Sequence, residues 1–268
     1  MIKVGVYASM FGKGDAPELQ TVEGFVELAS QLNLDVVDFR SDVGFGGGNS
    51  PEQLFELKMR CLRAGLPVGY LASQGHFVGT DEELQAKIDY VREDVARAVV
   101  LGTPLIRVFC GAAPADPAAR AAEVRCFQES CDIAAKQAIM VGLQNHPCDG
   151  DNVLRLLEEV DRPNFTHILD TGQWTGFKAY NEGVDTVGDG IYRYMEQTAP
   201  HAVHVRAKFF KIDSGREEWL DYERIVGILR EADFNGTMGV VFEGGKVNSC
   251  GDRDVLRLAV QQLRDLTS

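Results

Sequence analysis

Short apolar runs alternate along this chain with segments whose apolar residues recur every three or four positions. The runs are IKVGVYA (2–8), LDVVDFR (34–40), LPVGYLA (66–72), PLIRVFC (104–110), AIMVGLQN (138–145), FTHILD (165–170), AVHVRAK (202–208) and TMGVVFE (237–243). They are rich in Val, Ile and Phe and almost continuously apolar, as strands covered on both faces tend to be. The amphipathic segments between and after them predict helices over 21–33, 51–65, 81–102, 117–137, 152–160, 191–199, 222–232 and 254–266. Ser50-Pro51-Glu52-Gln53 and Thr80-Asp81-Glu82-Glu83 read as capping boxes, with Pro51 at a first helical position. Gly65 and Gly102, each followed closely by a proline, end helices before a new strand.

Eight strand–helix alternations in 268 residues, with no linker or break in composition, predict one (β/α)₈ TIM barrel spanning 1–268. A doubly wound open sheet is the runner-up. It would normally carry a GxGxxG turn after its first strand, and YASMFGKGDAP has none. The run GFGGGNSP follows the second strand and leads into a capped helix, so it reads as a loop.

A barrel of this kind carries its site where the strands end. Asp38 and Arg40 end strand two, His76 follows strand three, and Arg107 lies in strand four. Gln144, Asn145 and His146 end strand five, Asp170 ends strand six ahead of Trp174, and Glu243 ends strand eight. His204, Arg206 and Lys208 alternate along strand seven and therefore share one face. A single histidine is more often a satisfied core or surface residue than a ligand. Three of the five, His76, His146 and His204, fall at or near this one rim, whereas His167 and His201 lie nearer strand starts and read as structural. Gln144, Asp170, His204 and Glu243 come from the last four strands in order. They offer an amide oxygen, an imidazole and two carboxylates, a donor set suited to Mn²⁺ or Mg²⁺ and less specifically to Zn²⁺ or Co²⁺.

Composition narrows the partners. The formal charge of −13 argues against nucleic acid or an anionic membrane as partner. Six scattered cysteines without a CxxC pair read as reduced thiols in a cytoplasmic protein. No apolar run approaches the length of a membrane span, and MIKVGVYASMF is too short an apolar run for a signal peptide. Arg40, Arg107, Arg206, Lys208, Lys211 and Lys246 gather near the rim, either to neutralise Asp38, Asp42 and Asp170 or to bind an anionic substrate; both readings stay open. Trp174, Trp219, Phe209 and Phe210 could stack on the apolar face of a ligand. Trp174 reads as pocket-lining and Trp219 as an anchor for the helix that follows it. Outer helix faces leave room for a homo-oligomer, without a specific signal.

The fragments LQNHP, VLRLLEEVDRPNFTHILDTGQW, APHAVHVRAKFF, EEWLDYERIVGILREADFNG and VVFEGG, in this order and spacing, resemble the xylose-isomerase-like TIM barrels of the sugar phosphate isomerase/epimerase superfamily. The likeness spans essentially the full length. It implies a carbohydrate substrate and one divalent metal held by Glu, Asp, His and Glu. Asp170 and His204 match that set, Gln144 replaces the first Glu, and Val241 stands where the last appears, with Glu243 two residues on. Lys208 matches a recurrent lysine, and Asp38 falls where many relatives carry Glu. Gln173 stands where the related endonuclease IV barrels carry a ligand histidine, which argues against nucleic-acid processing.

Ketose epimerases of this family use two glutamates across the substrate. Gln144 cannot ionise, so one base remains. The expectation is an isomerase or epimerase-like enzyme that removes a proton next to a keto-sugar carbonyl with metal assistance. Its catalytic groups would be Glu243, His146 and Lys208, and its substrate-binding groups Asp38, Arg40, His76, Arg107, Asn145, Trp174 and Arg206. Two alternatives stand beside it: a single-base keto-glycoside lyase or hydratase, including C-glycoside cleavage, and a non-catalytic sugar-binding barrel or partner subunit.

Overall fold

A computed structural model describes residues 1–8, 16–41, 50–177 and 189–268. Eight strands follow one another with helices between them: β1 Lys3–Tyr7, α1 Val22–Gln31, β2 Val36–Arg40, α2 Pro51–Ala64, β3 Val68–Ala72, α3 Asp81–Leu101, β4 Leu105–Cys110, α4 Pro117–Ala135, β5 Met140–Asn145, α5 Gly150–Val160, β6 Phe165–Asp170, α6 Gly190–Thr198, β7 Ala202–Phe209, α7 Tyr222–Glu231, β8 Thr237–Phe242 and α8 Asp252–Thr267. Every neighbouring pair is parallel, and β1 pairs with β8 to close the barrel. Each strand matches the run that predicts it to within two residues at either end, β7 running one residue past its run to Phe209.

The local signals act as expected. Ser50 and Gln53 close a reciprocal box at α2, Gln53 N donating to Ser50 Oγ at 3.3 Å and Ser50 N to Gln53 Oε1 at 3.0 Å. Thr80 and Glu83 do the same at α3. Gly65 and Gly102 adopt left-handed conformations, φ 69° and 81°, at the ends of α2 and α3. Six of the eight residues of GFGGGNSP, 44–49, lie outside the described residues.

Two apolar clusters show which way the strands face. The larger fills the space between barrel and helices and takes Leu71, Leu169 and Val240. The smaller holds Tyr7, Tyr70, Ala72, Leu105, Ile168 and Val241. Tyr70, Ile168 and Val241 are sequence neighbours of those outer residues, so by strand alternation they point into the barrel. Extending the same alternation toward the strand ends puts Arg107, Gln144, Asp170, Arg206 and Lys208 on the inner face, all buried. The barrel is thus apolar in part and ionic at its mouth. Among the described residues, no helix is long and apolar enough to cross a membrane, and all six cysteines are free.

Candidate active site

Asp170, the last residue of β6, is fully buried, and both its oxygens are engaged. Oδ1 accepts from Gly172 N at 3.0 Å. Oδ2 accepts from Gln144 Nε2 at 2.9 Å and Arg206 Nε at 3.0 Å, with Lys208 Nζ 3.6 Å away. Gln144 turns its other end to Arg107, whose Nη1 donates to Oε1 at 2.7 Å. A guanidinium on one side and a carboxylate on the other fix which way that amide points. Arg206 also donates to the Tyr70 hydroxyl and lies over the Tyr7 ring at 4.4 Å from its centroid. Neither tyrosine stands out in the sequence; their signal is only that Tyr7 and Tyr70 share the inward alternation of their strands.

Lys208 donates to Glu243 Oε1, while Glu243 Oε2 is buried without a hydrogen-bond partner. Burial pulls the Lys208 ammonium down to about 7, with Asp170 opposing and Arg206 and Arg107 adding to the fall. Burial and the nearby Asp170 push Glu243 up to about 9. Both partners are driven toward their neutral forms, so the pair holds one proton near neutrality and can pass it in either direction. Burial works against the charge on Arg206, but Tyr70, Asp170 and Tyr7 hold its pKa above the ordinary value.

The four residues expected to bind a metal do not assemble as a ligand group. Register decides this. Asp170 pairs with Arg206, whereas His204 pairs with Ile168, one inward position deeper. There His204 Nε2 lies 3.0 Å from Asp38 Oδ2, without the alignment of a hydrogen bond, and Asp38 Oδ1 accepts from Tyr70 N at 3.1 Å. Glycines make the space: a Cβ at position 69 would stand 2.5 Å from Asp38 Oδ1, and one at 239 would stand 2.8 Å from Asp38 Oδ2. A divalent ion at Asp170 would meet Gln144, Arg206 and Lys208, of which only the amide is a donor to metals. Among the described residues no group of three His, Cys, Asp or Glu could hold an ion. The donor set therefore does not fit Mn²⁺, Mg²⁺, Zn²⁺ or Co²⁺.

Other expected site residues separate by location. His146 and His76 are half-buried at the rim, their rings 5.0 Å from Phe109 on either side. Burial lowers the pKa of both. Arg40 is half-buried at the end of β2, two residues past Asp38. Asp38 itself is buried too deeply to meet a ligand at the rim.

Asn145 alternates outward from Gln144. Its amide donates to Asp170 O at 2.9 Å and Gln173 O at 3.0 Å, and its oxygen accepts from Asp170 N at 2.9 Å. It clamps the end of β6 rather than facing a substrate. Trp174 is also buried outside the barrel, its ring 6.3 Å from His167 and 5.7 Å from Tyr194. Trp219 stacks on Phe210 at 5.8 Å ahead of α7, the anchoring role its position suggests. Lys211 pairs with Asp213 at 2.6 Å and Lys246 is exposed, so neither joins the buried cations.

A closed parallel barrel with its ionisable groups packed at the C-terminal mouth defines the TIM-barrel class. Within it, the chain belongs to the xylose isomerase-like TIM barrel family, whose model matches residues 26–266. Similar folds include D-psicose 3-epimerase with D-tagatose from Clostridium cellulolyticum H10, at 16% identity and TM-score 0.72, over 99% of this chain and 98% of that one. L-Ribulose 3-epimerase is similar at 12% identity and TM-score 0.75, over 99% and 94%. A family 2 AP endonuclease from Brucella melitensis is similar at 15% identity and TM-score 0.66, over 96% and 97%. No curated protein sequence matches the chain. At these identities the solved structures speak for the fold alone.

Proposed function

We propose that this protein is an enzyme that moves a proton on the carbon next to the carbonyl of a keto-sugar or sugar derivative, using Lys208 and Glu243 as its single acid–base unit. The observation that carries this is the bonded Lys208–Glu243 pair, with one carboxylate oxygen unpartnered, beside Asp170. The likeness in fold to ketose epimerases supports the choice of substrate class.

In the productive state Lys208 holds the shared proton and Glu243 is ionised. Glu243 Oε2 takes the proton from carbon, and the electron pair moves onto the carbonyl oxygen. That oxygen gains negative charge within reach of the cations at the mouth, where low polarity strengthens their hold on it. Return of the proton from Glu243 to the former carbonyl carbon, with the adjacent hydroxyl proton passing to the enolate oxygen as that hydroxyl becomes the new carbonyl, gives isomerisation. Delivery to an oxygen leaving from the next carbon gives elimination.

The neutrality of Gln144 favours the second outcome as a runner-up, because the amide stands where the second base of a two-base epimerisation is expected and cannot ionise. His146, held toward its neutral form, suits the reverse addition as acceptor of a water proton.

Solvent-deuterium uptake followed by NMR tests both readings. Exchange at the carbon next to the carbonyl of ketohexoses supports isomerisation. Exchange with loss of a substituent from 3-keto-glucosides supports the lyase. No exchange into either class would overturn the catalytic reading and favour a non-catalytic barrel.

A further inference from the structure

Of the three buried mouth cations Arg107, Arg206 and Lys208, Arg107 forms no ion pair with a carboxylate among the described residues. Arg206 is bonded to Asp170, and Lys208 to Glu243. Arg107 donates from Nη1 to the neutral Gln144 amide and from Nη2 to the Ser73 carbonyl at 3.2 Å, and its Nε is buried without a partner. No carboxylate oxygen among the described residues forms an ion pair with it. The side chain is only 7% exposed. A guanidinium does not shed its proton, so burial against neutral hydrogen-bond partners leaves a positive charge with no bonded counter-ion, Asp170 acting on it only through space from beyond Gln144. A glutamate in place of Gln144 would have cancelled it; the amide leaves it available.

Above Arg107 and Gln144 on the same inner face stand Phe109 and His146, with His76 stacked against Phe109 at 27°. Arg107 lies 5.1 Å from the Phe109 ring centroid. These rings form a half-buried collar, and among the described residues no acidic side chain forms an ion pair with the guanidinium. One unmatched charge suits a ligand with one negative charge. A planar carboxylate matches the guanidinium fork, whereas a phosphate dianion would overcompensate it.

We propose that Arg107 is the seat of a carboxylate on the substrate, which makes the natural substrate a keto-sugar acid. This rests on the reading of the site as a keto-sugar site, but its test needs no turnover. Calorimetric titration of the wild-type protein with 2-keto-D-gluconate, D-gluconate, D-fructose and D-fructose 6-phosphate separates the chemistries.

The expected result is that the carboxylates bind between about tenfold and a hundredfold tighter than D-fructose. Arg107→Gln should remove that advantage, and Arg107→Lys should keep part of it. Equal affinity for acid and neutral sugar, tighter binding of the phosphate than of the carboxylates, or an acid preference that survives Arg107→Gln overturns the assignment. The wild-type comparison stands even if a variant fails to fold. Deuterium exchange into neutral ketohexoses with no acid preference would sink this inference alone, whereas acid-selective binding without exchange would sink only the catalytic reading.

Discussion

Arg206 stands opposite Asp170 on the neighbouring strand, and its Nε donates to Asp170 Oδ2 at 3.0 Å. The only carboxylate that ends β6 is thereby spent on a guanidinium, with a neutral amide and an ammonium beside it. In the proposed reaction, electrostatic work at this mouth would fall to cations that belong to the chain.

The first expectation concerns metals. Any exchange activity should be unchanged after dialysis against EDTA, and Mn²⁺ or Mg²⁺ should leave the thermal midpoint where it is. A stoichiometric ion found by elemental analysis, and lost in Asp170→Asn, would contradict the charge pattern described above.

Removing the base should be costly. Glu243→Gln keeps the shape and a hydrogen-bonding oxygen for Lys208 but cannot take a proton. Deuterium uptake should fall by at least about 100-fold with the thermal midpoint little changed. Residual exchange within a few-fold of wild type would move the base elsewhere.

Lys208→Met tests the pair by pH. Without the ammonium, Glu243 remains buried beside Asp170 with its bonded cation gone, so its pKa should climb further above the carboxylate range. Exchange at pH 7 should be lost, and the rising limb of the pH profile should move upward. Lys208→Arg, which keeps the charge, should restore part of the rate. A profile that does not move in Lys208→Met would mean that the lysine does not tune Glu243.

Asn145→Ala should act on stability. It deletes three buried hydrogen bonds at the end of β6, a cost of about 2–4 kcal/mol. Urea unfolding should show a lower midpoint at an unchanged slope. A variant as stable as wild type would show that Asp170 needs no such clamp.

His167 predicts acid sensitivity. Its Nδ1 lies 2.8 Å from Leu143 O, and burial pulls its pKa down to about 4. An unfolded chain takes up this proton near pH 6.5, before the folded one does. The contribution is therefore complete above 6.5 and declines as pH falls toward 4, by about 3 kcal/mol in all. Urea midpoints of wild type and His167→Gln, compared across that window, should diverge least at low pH. Parallel curves would exclude the titration.

The eight strands, both capping boxes and the helix-ending glycines were legible in the order of residues, because each depends on neighbours a few positions apart. The strand ends were legible too, and with them the candidate set: Arg107, Gln144, Asp170, Arg206, Lys208 and Glu243 do meet at one mouth. Alternation within a strand could not say whether His204 or Arg206 stands level with Asp170, since both face inward. Nor could it show that Asn145 and Trp174 turn away from the barrel.

Those choices depend on how neighbouring strands slide against one another, a relationship between residues far apart in the chain. A shift of two positions keeps every inward side chain inward and exchanges only its partners. Here it sends the imidazole down to Asp38 and brings a guanidinium to Asp170. Sequence pattern set which residues face the centre; the packed barrel alone chose which charges touch.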